Sequence, residues 1–140
     1  MNRKASAIWR GGLKDGKGVI STDSGVLKET QYSFSTRFEN GVGTNPEELI
    51  AAAHAGCFSM AFSAELGKAG LTPESIETTA TITFEKTDAG FTVTKSHLDV
   101  TAKIPNADRN KALEVANAAK AGCPISRLLK CEITMDAKLL

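Results

Sequence analysis

The sequence predicts an α+β fold in which antiparallel sheets wrap around a central buried helix, and three observations carry that prediction. Short strands come first, then a helix, a hairpin, a second helix and a last strand, with no βαβ alternation, repeat or low-complexity tract. Between Leu49 and Leu66 the chain is apolar or small on nearly every side, the pattern of a helix surrounded by protein. From Ile76 to Glu85 apolar and polar residues alternate, giving a strand one buried and one wet face.

Taken in order, Ala5 to Trp9, Gly18 to Thr22 and Tyr32 to Phe38 read as strands of an antiparallel meander, separated by the turn segments GGLKDGKG and DSG. A helix is predicted next. Asn45 can cap it, Pro46 suits its first position, and Glu48 stands three residues after the cap. It runs to about Lys68 and stops before Gly70. The strand after it ends at the turn TDAG, and the return strand changes phase: Phe91 and Val93 hold one phase, Leu98, Val100, Ala102 and Ile104 the other. That predicts a bulge near Lys95. Asn106 to Ala121 has helical spacing and closes at Gly122, Pro124 opens a short helix to Leu129, and Ile133, Met135, Ala137 and Leu139 mark the final strand.

A chain of 140 residues with 41% apolar composition suits one domain, 1–140, able to bury a core without disulfides or metal. Seventeen Lys and Arg against sixteen Asp and Glu leave a formal charge of +1, so neither nucleic acid nor an anionic membrane is an expected partner. The N-terminus lacks the apolar stretch of a signal peptide, and no segment reads as a membrane span, so the expected compartment is the cytoplasm. Three widely spaced cysteines, Cys57, Cys123 and Cys131, fit neither a secreted disulfide framework nor a paired zinc motif. Reversible thiol chemistry stays open.

By residue type alone, Cys57 in an Ala-rich helix fits a small buried hydrophobe more readily than a nucleophile. Burial raises a thiol pKa, so an active Cys57 needs a cation nearby; His54 precedes it by one turn and Arg37 lies upstream. His54 fits a hydrogen-bonded core histidine equally well. Cys123, between a helix-ending Gly and a Pro, fits either a junction filler or a thiol beside backbone N–H groups. Cys131 reads as packing.

The segments GTNPEELIAAAHAGCFSM (43–60) and AGCPIS (121–126), with STDSGVL and TRFE upstream, resemble the OsmC/Ohr family of osmotically inducible and organic-hydroperoxide-resistance proteins, closer to the OsmC branch. The resemblance implies an intertwined homodimer with two sites at the subunit interface. It also implies a cofactor-free cysteine peroxidase acting on organic hydroperoxides and, less selectively, on hydrogen peroxide, with a dihydrolipoyl-type dithiol as reductant. By the same resemblance Cys57 is the attacking sulfur, Cys123 the resolving one, Arg37 the cation that holds the thiolate, and Glu47 the carboxylate that holds Arg37. Cys131 lies outside both motifs.

Helix geometry adds a constraint. Glu47 and Cys57 are ten residues apart, about 15 Å of rise and roughly 80° of rotation on a straight helix. An Arg touching both therefore needs the sulfur of one chain and the carboxylate of another, or a distorted helix. Two other functions compete with the enzyme: a non-catalytic binding protein for an apolar ligand, and a thiol-disulfide regulator, which the lack of a CxxC element disfavours.

Overall fold

The computed structural model describes all 140 residues, which form two compact units, Met1–Leu49 and Ile50–Leu140. In the first unit, β1 (Ala5–Arg10), β2 (Lys17–Thr22) and β3 (Thr30–Tyr32) make an antiparallel sheet in the order β1-β2-β3. Gly18 pairs with both Trp9 and Tyr32, whose rings stand 5.5 Å apart, and a Cβ at Gly18 would overlap both rings. The strand predicted over Tyr32–Phe38 is instead the end of β3 followed by a short helix, α1 (Phe34–Phe38). A capping box forms it: Ser33 Oγ accepts from Thr36 N at 3.3 Å, while Thr36 Oγ1 accepts from Ser33 N at 2.8 Å. Two local hydrogen bonds outweigh the strand preference of the aromatic and Thr side chains here.

Helix α2 runs from Pro46 to Lys68. Asn45 caps it as predicted, its Oδ1 accepting from Glu48 N at 2.8 Å, while the Glu48 carboxylate accepts from Thr44 Oγ1 at 2.8 Å. By length and composition α2 could cross a membrane, contrary to the sequence-based expectation that no segment could. Its Phe58, Phe62 and Leu66, at i, i+4 and i+8, are nevertheless fully buried in a core shared with Leu98, Val100, Ala102, Ala112, Ala116 and Ala119. Each such Phe or Leu contributes about 1.5–3 kcal/mol on burial. The all-round burial predicted for α2 is not met within one chain. Ala52, Ala53, Gly56, Met60, Ser63, Ala64 and Gly67 are exposed, with Met60 at 77%.

The second unit holds β4 (Ser75–Thr87), β5 (Gly90–Lys103), α3 (Arg109–Gly122), α4 (Pro124–Leu128) and β6 (Glu132–Leu139). β4 and β5 pair antiparallel, with a register shift where Thr83 faces Lys95 and Phe84 faces Val93, so Thr94 is the extra residue of the predicted bulge. Past it, Ser96, Leu98, Val100 and Ala102 all point into the core. The last strand corrects the all-antiparallel expectation: β6 pairs with β5 in parallel, Lys95 facing Glu132 through Ala102 facing Leu139. The α3–α4 segment is the crossover that parallel pairing demands, so β5-α3-α4-β6 is a βαβ unit inside an α+β chain.

Candidate active site

In the first unit, the sequence between α1 and α2 folds back on itself. Asn45 Nδ2 donates to Thr36 O at 2.9 Å, tying the cap of α2 to α1. That places Arg37, in the last turn of α1, against Glu47, in the first turn of α2, with Nε donating to Oε1 at 2.7 Å. Glu47 is 7% exposed, and its carboxylate is held by a guanidinium whose geometry suits that role. The Arg37 guanidinium carbon also lies 5.2 Å from the centre of the Phe38 ring. Beside this pair, Trp9, Leu13, Tyr32, Ser33, Phe34, Arg37 and Phe38 line a mainly apolar cavity of about 270 Å³.

In the second unit, Cys57 of α2 and Cys123, which ends α3 and precedes α4, come together. Both are free thiols, Cys123 fully buried and Cys57 half-buried. Burial pushes the Cys57 pKa up, and the hydrogen-bonded Cys123 side chain pushes it the same way. A backbone hydrogen bond from Ile125, at the start of α4, opposes both. The N–H support that the sequence suggested for Cys123 thus serves Cys57. Within this unit no Lys or Arg offsets the rise.

One turn before Cys57, His54 is wholly buried, with Nδ1 2.6 Å from Ser96 Oγ and Nε2 2.7 Å from Ser126 Oγ. Burial lowers its pKa, so the ring is neutral at neutral pH, one nitrogen donating and the other accepting. Neither serine was singled out in the sequence. Ser126 belongs to the AGCPIS motif, but Ser96 is 42 residues from His54, and nothing in the local pattern of β5 marks it. Cys131, ahead of β6, is half-buried; burial raises its pKa against a backbone hydrogen bond from Ser96. A His/Asp group able to offer three metal ligands, His97, Asp99 and Asp136, lies on β5 and β6, with both carboxylates exposed.

The structure therefore gathers the four expected site residues into two pairs, Arg37 with Glu47 and Cys57 with Cys123. Residues 38–138 match the family model for OsmC-like proteins.

The chain belongs to the OsmC family.

Over 139 residues it is 52% identical to peroxiredoxin OsmC of Escherichia coli strain K12, covering 99% of this chain and 97% of that one. Over 136 residues it is 31% identical to the organic hydroperoxide resistance protein OhrB of Bacillus subtilis strain 168, covering 96% of each. The crystal structure of Bacillus subtilis OhrB superposes with a TM-score of 0.68 at 27% identity over 98% of each chain. An OsmC-like protein of unknown function from Vibrio cholerae reaches 0.78 at 17% identity, covering 98% and 99% of the two chains, which speaks for the fold alone.

Proposed function

We propose that this OsmC-family chain is a thiol-dependent peroxidase that reduces organic hydroperoxides, and less selectively hydrogen peroxide, in stress defence. The observation that carries the residue assignment is the contact between two free thiols, Cys57 and Cys123, on separate elements of one unit. In the first step the Cys57 thiolate attacks the distal peroxide oxygen. The O–O bond breaks, the alkoxide leaves as alcohol with a proton from water, and the sulfur becomes a sulfenic acid. In the second, the Cys123 thiol attacks that sulfur, water leaves, and a Cys57–Cys123 disulfide remains. A dithiol, of dihydrolipoyl type by family resemblance, reopens it. No step calls for a metal or flavin.

This reading assigns the missing cation to a second copy of the chain. Burial and Cys123 both disfavour the Cys57 thiolate, so attack at neutral pH needs a guanidinium, and the Arg37–Glu47 pair presents one already oriented by a carboxylate. The ten-residue separation of Glu47 from Cys57 on α2 favours the partner subunit's Arg37. Two observations support a homodimer with the site at the subunit interface. The exposed face of α2 is made of Ala, Gly, Ser and Met, small or adaptable enough for another helix to approach closely. In Met1–Leu49, meanwhile, no apolar side chain reaches the burial of the second unit's core. The aromatic cavity beside Arg37 suits the organic tail of a hydroperoxide. We assign the protein to the cytoplasm as one OsmC-like domain.

Turnover of cumene hydroperoxide and of hydrogen peroxide, each with a dithiol and with a monothiol, tests the reading. The expected order puts cumene hydroperoxide with the dithiol fastest; no turnover in all four reactions would sink the enzyme and leave a binding protein for an apolar ligand. A dilute monomer that kept full activity would remove the two-subunit site.

A further inference from the structure

On the buried stripe of α2, His54, Phe58, Phe62 and Leu66 follow one another at four-residue spacing, and only His54 is polar. An apolar side chain there would serve packing alone. His54 instead engages two hydroxyls on separate elements, Ser96 of β5 and Ser126 of α4, and leaves neither ring nitrogen unpartnered. The two links are not equivalent. At Ser96, β5 is paired on both sides, with Ile82 of β4 and Ile133 of β6, whereas α4 is a five-residue helix with no side-chain cap bond at its start.

The numbering of the contacts shows what the α4 link does. His54 and Cys57 are three residues apart on α2 and share a face. Cys123 and Ser126 are likewise three apart, across the start of α4. His54 meets Ser126, and Cys57 meets Cys123, so the two contacts are adjacent rungs between the same two segments. We propose that His54 is a positioning residue for the resolving step: through Ser126 it fixes α4 so that the Cys123 sulfur stays on Cys57 after Cys57 has been oxidised. This rests on the peroxidase reading above. In that step the sulfenic sulfur is reduced and the Cys123 sulfur oxidised as the S–S bond forms. The sulfenic hydroxyl departs as water with the thiol proton, and no outside oxidant or reductant is needed. Peroxide attack, which precedes it, forms no bond to Cys123, and loosening α4 weakens both the Cys123 contact that disfavours the Cys57 thiolate and the Ile125 amide bond that favours it, so the two effects on attack oppose each other.

The test compares Ser126→Ala with Ser96→Ala in the full-length protein. Each leaves one nitrogen of the same buried ring without its partner, so a purely structural role predicts equal effects; only the first detaches α4. Reduced protein is mixed with one equivalent of cumene hydroperoxide, sulfenic acid is trapped with dimedone, and disulfide is followed by intact mass. For Ser126→Ala we expect sulfenic acid formation within about twofold of wild type, disulfide closure about tenfold slower, and more sulfinic acid. Ser96→Ala should close within about twofold of wild type, and Ser126→Thr, which keeps the hydroxyl, within about threefold. Equal slowing in both Ala variants, wild-type closure in Ser126→Ala, or a Thr variant as slow as the Ala variant would each overturn the proposal. Wild-type protein that reacts with peroxide but never forms the Cys57–Cys123 disulfide would overturn the parent reading of Cys123 as well.

Discussion

Ile50–Leu140 encloses an apolar core drawn from α2, β5 and α3, while in Met1–Leu49 the buried side chains are Thr36, Thr44 and Glu47. The chemistry divides along the same line. The cored unit carries both sulfurs and, in Cys57, a thiol that its own surroundings keep protonated. The coreless unit carries the guanidinium, already paired and stacked near an aromatic cavity. A nucleophile needs a rigid bed and a desolvated setting, and desolvation works against its ionisation. In the proposed dimer the correcting cation comes from the partner's first unit, so the thiolate would form only where the substrate site is complete.

The sharpest way to break this division is to remove the nucleophile. Cys57→Ser should cut peroxide turnover by about a thousandfold or more while thermal unfolding moves little, since Ser is close in volume; turnover that survives would place the chemistry elsewhere. Removing the cation should cost less. If the partner subunit's Arg37 holds the thiolate as proposed, Arg37→Met leaves Cys57 with the raised pKa that burial and Cys123 impose; below that pKa the thiolate fraction falls tenfold per pH unit. Reaction with peroxide at pH 7 should then slow about 10- to 100-fold and recover as pH is raised. A pH–rate profile identical to wild type would show that Arg37 does not act on the sulfur. The same variant leaves the Glu47 carboxylate, 7% exposed, without its donor, costing about 1–2 kcal/mol once the partial exposure of Arg37 is allowed for.

A smaller effect concerns the cored unit alone. His54 binds a proton less readily folded than unfolded, where its pKa is about 6.5. Below that pH the unfolded state takes up the proton first, so stability should fall as pH drops from about 6.5 toward the folded pKa, and be flat above it. Urea midpoints of wild type and His54→Gln across pH 5–8 check this; an equal slope in both would assign the acid sensitivity elsewhere. The smallest effect is expected at Cys131, which touches neither pair: Cys131→Ser should leave turnover within about twofold and simplify thiol counting.

Local chemistry was legible from residue order wherever a few neighbours decide the outcome. Asn45 and Pro46 start α2, alternation sets the inward face of β4, the phase change points to a bulge near Lys95, where the register makes Thr94 the extra residue, and Gly122 with Pro124 divides α3 from α4. The family resemblance paired Cys57 with Cys123, and the structure puts these two thiols in contact. What lay out of reach depends on partners distant along the chain. The capping box that replaces a strand with α1 competes with propensities of similar size, and the parallel course of β6 is settled by where α3 and α4 return the chain. The serines of His54 come from 42 and 72 residues away, and the amide facing Cys57 belongs to Ile125. Hydrogen bonds between such distant groups exist only after the core has closed, because packing against Phe58, Phe62 and Leu66, rather than any local preference, decides which polar atoms meet.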